Sequence, residues 1–234
     1  MRRVDDEGKS LGQAFARGNL IKICGLREPE HAAAAAEFGA DLLGFIFAPA
    51  RRQVTVEAAR RCIEAARSAA GARPIVAVGV FVDAPASEIE RAAAGAGLDA
   101  VQLHGSEDPS FVEALGVPAT KVLRPRGGVE AAAVIAEIDA FRSSRRPPAG
   151  FLIDGYADGA SGGTGARADW DVAAEVAAAR PVMLAGGLEP ENVAAAIRRV
   201  RPIGVDVSSG VETDGVKDVA RIDAFIRAAR QAFP

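Results

Sequence analysis

Residues 150–165 read G-F-L-I-D-G-Y-A-D-G-A-S-G-G-T-G. Three apolar residues, Phe151, Leu152 and Ile153, stop at Asp154, and a glycine-rich loop closes on Gly162-Gly163-Thr164-Gly165. Nothing in the apolar run alternates with polar residues, which predicts a short strand covered on both faces. A carboxylate at the end of such a strand, ahead of backbone able to wrap an anion, has two readings. It is the edge of an active site, or it caps the next turn.

Working outward, the same unit recurs on both sides. Short apolar runs at 19–24, 41–47, 75–82, 98–103, 119–123, 181–184 and 203–207 predict seven more strands. Between and after them lie helical patterns at 31–38, 56–70, 85–94, 108–115, 128–141, 169–179, 190–199 and 218–232. Several carry their own punctuation: Pro29 at a first turn, Gly39 as a stop, Thr55 as a cap. Eight compact strand–helix pairs without a linker predict the α/β class and a single (βα)8 TIM barrel over 19–234. An open dinucleotide-binding sheet would need G-x-G-x-x-G after the first strand, and Cys24-Gly25-Leu26-Arg27 does not supply it. Residues 1–18, charged and without an apolar core, are expected to be a loosely ordered N-terminal extension outside the fold.

The 234 residues carry a formal net charge of -3, with 49% hydrophobic and 25% charged residues. That balance argues against nucleic-acid or membrane-surface binding, and no apolar run reaches the length of a membrane span. Two cysteines and two histidines, none in metal-ligand spacing, predict no metal site and a reducing, cytoplasmic setting. Lys9, Lys22, Lys121 and Lys217 are the only lysines. A Schiff-base aldolase is disfavoured, because Lys22 falls two residues short of its strand end and Lys121 near a strand start.

In such a barrel the chemistry lies at the ends of the strands. That filter picks Cys24, Phe47, Asp83, His104, Arg124, Asp154, Ala185 and Asp206. Cys62, in mid-helix, reads as a small buried hydrophobe. Cys24 ends a strand at the mouth and is a candidate nucleophile or base. With Asp154 on the sixth strand it can form a proton-transfer pair acting on two atoms of one substrate, as an isomerisation requires. Asp206 is a candidate for orienting substrate or backbone, Asp83 for capping the following helix, and His104 is either a substrate contact or a turn residue. Gly186-Gly187 and Ser208-Ser209-Gly210 follow the last two strands, where barrels commonly bind phosphate, with Gly163 beside them. Arg51 and Arg52 are surface charges or a fork for a substrate carboxylate.

The motifs K-I-C-G-L from Lys22, G-F-I-F-A-P from Gly44, V-G-V-F-V from Val78 and Q-L-H-G from Gln102 stand in order. L-I-D from Leu152, G-G-T-G from Gly162, A-G-G-L from Ala185 and V-D-V-S-S-G-V-E from Val205 complete the series. Together they resemble the phosphoribosylanthranilate isomerase family of tryptophan biosynthesis. The resemblance implies a cofactor-free barrel catalysing an Amadori rearrangement of N-(5-phosphoribosyl)anthranilate to 1-(2-carboxyphenylamino)-1-deoxyribulose 5-phosphate. It implies Cys24 as general base, Asp154 as general acid and Arg52 as ligand of the anthranilate carboxylate; His104 and Asp206 join them as substrate-contact candidates from their strand-end positions. It also implies Gly163, Gly186, Gly187, Ser208, Ser209 and Gly210 as the phosphate cradle. The family often places a basic residue directly after G-G-T-G, where this chain has Ala166 and then Arg167. The expected partner is a small phosphosugar, with a monomer preferred over a homodimer. Against the alternatives, the related histidine-pathway isomerase uses carboxylates at both proton-transfer positions, one of which is Cys24 here, and a non-catalytic phosphosugar sensor has no need for both Cys24 and Asp154.

Overall fold

In the computed structural model, eight parallel strands close into a barrel in chain order; residues 11–126, 128–155 and 168–234 are described. The strands are β1 (Leu20–Cys24), β2 (Leu42–Ile46), β3 (Val76–Phe81), β4 (Ala100–Leu103), β5 (Ala119–Leu123), β6 (Gly150–Ile153), β7 (Met183–Leu184) and β8 (Gly204–Val207). Closure is made by β1 against β8, in a register that sets Lys22 beside Asp206. A helix follows each strand: α2 (Pro29–Phe38), α3 (Val56–Ala70), α4 (Ala86–Ala96), α5 (Pro109–Ala114), α6 (Ala131–Arg142), α7 (Trp170–Ala179), α8 (Val193–Val200) and α9 (Val219–Ala232). Thr55 and Asp169 cap α3 and α7 through their side chains, as their residue types favour.

Side-chain alternation along the strands divides the interior in two. Ile21, Ile23, Leu43, Phe45, Val101, Leu103, Phe151, Ile153, Val205 and Val207 face outward into the layer beneath the helices. Leu20, Leu42, Val76, Val78, Ala100, Val122, Leu152 and Met183 fill the lower half of the barrel itself. Nearer the top, inward positions turn polar: Lys22, Gln102, His104, Asp154 and Asp206 are all buried.

The bottom is closed by a helix the sequence reading placed outside the fold. Leu11–Arg17 forms α1, with Leu11, Ala14 and Phe15 buried. Those positions, spaced i, i+3 and i+4, make one apolar stripe that joins the barrel's inner cluster. Phe15 lies directly over Gly150, where any Cβ would collide with its ring. A seven-residue helix has too little internal stabilisation to persist alone, so it is the apolar floor of the barrel that orders it.

A second element escaped the sequence reading. After β8, a 3-10 turn at Ser209–Val211 leads into an antiparallel pair, β9 (Glu212–Thr213) and β10 (Val216–Lys217). Asp214 and Gly215 both have positive φ, 52° and 78°. That is the backbone of a two-residue hairpin turn, for which Asp-Gly is a strong local signal.

Candidate active site

Cys24 ends β1 with its thiol buried at the barrel mouth. Its register partner on β2 is Gly44, and a methyl group there would stand 2.6 Å from Sγ. Burial pushes the Cys24 thiol above its ordinary range, with Asp206 adding to the rise and the nearby ammonium groups of Lys22 and Lys217 opposing it. Cys62, buried in α3, is pushed up to about 11 by its surroundings and takes no part in the mouth.

Below Cys24 on the same face of β1 lies Lys22, 1% exposed. Its ammonium donates to Asp206 Oδ2 at 2.7 Å and to Gln102 Oε1 at 2.9 Å. Burial alone would lower its pKa, but the proximity of Asp206 and Cys24 holds it above the ordinary value. Asp206 is raised by burial against the opposing pull of Lys22, with Asp154 and His104 acting on it from across the barrel. The sequence reading assigned Lys22 and Gln102 no role. Two-residue periodicity was the available signal, since Lys22 precedes Cys24, and Gln102 precedes His104, by one strand repeat.

Asp154 follows β6 and is buried, with its backbone N–H donating to Leu123 O at 3.0 Å. His104 follows β4 and brings Nε2 to 3.2 Å from Asp154 Oδ2. The contact is close but not aligned as a hydrogen bond. Among the described residues, His104 Nε2 and Asp206 Oδ1 are therefore buried polar atoms without hydrogen-bond partners. Unsatisfied groups of this kind are uncommon in folded interiors and mark a place where a polar ligand fits.

Arg52 and Arg51, equivalent in sequence, separate in space. Arg52 is 8% exposed and forks onto Glu212 of β9, with Nε to Oε1 at 2.5 Å and Nη2 to Oε2 at 2.8 Å. Arg51 reaches the same carboxylate at 2.7 Å from an exposed position. Gly25 makes room for Arg52: a Cβ there would stand 2.7 Å from its Cδ, and φ is +77°. Lys217 completes the cluster at 3.0 Å from Glu212 Oε1. Burial would raise the Glu212 carboxyl, but Arg52, Lys217 and Arg51 overcome it and bring it down to about 2. Lys217 is itself lowered by burial, with Glu212 opposing.

Lys217 and two further side chains tie down the loops after β7 and β8. Lys217 donates to Ser208 O at 2.8 Å, Arg221 to Gly210 O at 3.0 Å, and Asn192 to Gly187 O at 2.8 Å. With these carbonyl oxygens engaged, the positively charged surroundings and backbone N–H groups suit an anion. Gly186 and Gly187 have φ of 91° and 64°, and any Cβ on Gly210 would strike Leu188 O. Ser208 Oγ donates to Cys24 O at 3.2 Å, joining this loop to β1. Gly163 and Arg167 lie outside the described residues.

The remaining strand-end aspartate has a different duty from capping its own helix. Asp83 accepts from Ser106 N at 2.7 Å and Ser106 Oγ at 2.9 Å, and these bonds lower its pKa. It braces the loop after β4. Among the described residues, no group of three or more His, Cys, Asp and Glu side chains is arranged to hold a metal ion.

The family model for N-(5'phosphoribosyl)anthranilate (PRA) isomerase matches residues 21–228. An N-(5'-phosphoribosyl)anthranilate isomerase of Roseiflexus castenholzii is 48% identical over 216 residues, spanning 91% of this chain and 99% of that protein. Among solved structures, the dimeric phosphoribosylanthranilate isomerase of Thermotoga maritima, in a form described as mutually generated monomers, superposes with a TM-score of 0.74. It is 32% identical and covers 91% of this chain and 98% of its own. A phosphoribosylanthranilate isomerase in complex with reduced 1-(o-carboxyphenylamino)-1-deoxyribulose 5-phosphate gives a TM-score of 0.73 at 32% identity, with the same coverage.

Proposed function

The chain belongs to the N-(5'-phosphoribosyl)anthranilate isomerase family and isomerises phosphoribosylanthranilate in tryptophan biosynthesis, and we propose that Cys24 and Asp154 carry its two proton transfers. The observation that carries this reading is their placement. Both groups are buried at the mouth end of inward-facing strand positions, and one carboxylate, Asp206, interacts electrostatically with each. Asp154 in its acid form gives a proton to the furanose ring oxygen, and the ring C–O bond breaks to leave an iminium at C1. Cys24 as thiolate then takes the proton from C2, and the electron pair of that C–H bond neutralises the iminium as an enolamine. Tautomerisation, moving the enol proton from oxygen to C1, gives the ketone product. Two groups of opposite role on one substrate is the arrangement general acid–base catalysis needs.

Arg52 is the ligand of the anthranilate carboxylate in this reading, because it is buried at the mouth while Arg51 projects outward. The loops at Gly186-Gly187 and Ser208-Ser209-Gly210 hold the phosphate, with Gly163 as a further contact. His104 Nε2 and Asp206 Oδ1 take the sugar hydroxyls, which supply the partners they lack. Among the described residues Val216 is the large hydrophobic side chain left exposed, which favours a monomer. Two free cysteines are in keeping with a cytoplasmic setting.

The test follows disappearance of the fluorescence of phosphoribosylanthranilate generated in situ. Wild type is expected to turn over, with Cys24→Ala and Asp154→Ala each losing at least about 10²-fold in kcat. Full turnover in either variant removes that residue from the mechanism.

A further inference from the structure

The mechanism needs the Cys24 thiolate, yet burial works against it, and the cation nearest along the strand has no part in either proton transfer. Lys22 and Cys24 sit two residues apart on β1, so both side chains point into the barrel. An ammonium has three protons to donate. Asp206 takes one at 2.7 Å and Gln102 another at 2.9 Å, and the ammonium also interacts with Cys24, one strand repeat along. Asp206 reaches the ammonium through Oδ2 alone, and its Oδ1 has no hydrogen-bond partner among the described residues. The buried charge of Lys22 is thus anchored by two acceptors, with one donor position left over.

We propose that Lys22 is a positioning residue for the reaction, its buried ammonium making the thiolate of Cys24 attainable while Asp206 and Gln102 fix where that charge stands. The thiol releases its proton to water, and the resulting thiolate stands beside Lys22 on the same face of β1. The other charges that face the sulfur are Asp206 on β8, Lys217 on β10 and Arg52 on the loop after β2. Lys217 is held by Glu212 and Ser208, and Arg52 by Glu212. Lys22 and Asp206 therefore act on Cys24 with opposite sign from within one ion pair. This inference rests on Cys24 as the base, but its central measurement does not.

In a Cys62→Ala background, ionisation of Cys24 is followed by ultraviolet thiolate absorbance and by the rate of alkylation with iodoacetamide across pH. Lys22→Met is expected to move the midpoint up by about one unit, slowing alkylation about 10-fold at neutral pH, and Asp206→Asn to move it down. The acid limb of the kcat profile follows in the same two directions, and for Lys22→Met, which removes no substrate contact, KM changes less than kcat. Damage to the fold alone has no reason to give opposite signs. The double variant, with neither charge buried, covers the case in which Lys22→Met does not fold: it must titrate above Asp206→Asn. Equal midpoints in those two proteins, or shifts of the same sign in the two single variants, overturn the inference. Opposite shifts in Cys24 ionisation without matching movement of kcat uphold the coupling and overturn the base role of Cys24.

Discussion

Two buried lysines each lie against one carboxylate at nearly the same distance, Lys22 against Asp206 at 2.7 Å and Lys121 against Glu107 at 2.8 Å. Their positions on the strands differ in parity. Lys22 faces the inside of the barrel. Lys121 on β5 faces the layer under the helices, with its ammonium 6.0 Å from the Phe141 ring centroid. In the outer pair both carboxylate oxygens are engaged. Glu107 accepts from the backbone of Asp83 and Gly105 as well as from Lys121, and Lys121 also donates to Gly105 O at 2.7 Å. That pair pins the loop carrying His104, and its carboxylate has no oxygen left over. The inner pair leaves Asp206 Oδ1 without a partner and stands beside a thiol. A buried ion pair costs desolvation wherever it sits; what separates a brace from a working group is whether its hydrogen-bonding capacity is spent.

The contrast breaks most directly at the outer pair. Lys121→Met leaves the buried Glu107 carboxylate without its counter-charge, and should lower stability by about 3–5 kcal/mol in urea unfolding, with the smaller change in kcat of the folded enzyme. Lys22→Met should cost less stability, because burial already draws the Asp206 carboxyl toward its neutral form. Equal losses from the two substitutions would erase the distinction.

Next in size is Gly44→Ala, which presses on the Cys24 sulfur without touching any charge. A displacement of the sulfur approaching 1 Å predicts a fall in kcat of about 10²-fold, alongside an overpacking cost of about 1–3 kcal/mol. Steady-state kinetics with unchanged kcat would show that the position of Sγ is not critical.

The effect with least bearing on kcat lies at the third lysine pair, Lys217 with Glu212, where the carboxylate serves three cations at once. A carboxyl lowered from 4.5 to about 2 on folding contributes stability that is fully present above its unfolded value. That contribution is lost as pH falls through the window between those values. Glu212→Gln should therefore be less stable than wild type at neutral pH and show a shallower loss across that acid window, measured as the urea midpoint against pH. Parallel curves would mean that Glu212 contributes no proton linkage.

Much of this was legible along the chain. The strand ends named Cys24, His104, Asp154 and Asp206, because position along a strand and alternation of faces are local properties. Arg52 and Arg51 could not be told apart, since neighbours in a loop differ only in what they meet across space. Glu212 closed the motif V-D-V-S-S-G-V-E and still carried no visible role, because its meaning depends on Arg52, 160 residues away. The helix at Leu11–Arg17 was missed for a related reason. Its apolar stripe is too short to signal a stable helix, and only the open floor of the barrel gives it something to bury against.

The sequence by itself determined the eight strand–helix units, their order and the residues presented at the mouth, all of which follow from short-range periodicity and punctuation. Tertiary structure alone decided the partnerships of charge. Closing β1 onto β8 sets Lys22 beside Asp206 across 184 residues of chain, and that register exists only once the intervening strands have completed the barrel. The interactions that bear on Cys24 are electrostatic and depend on distance through space, which no local pattern records.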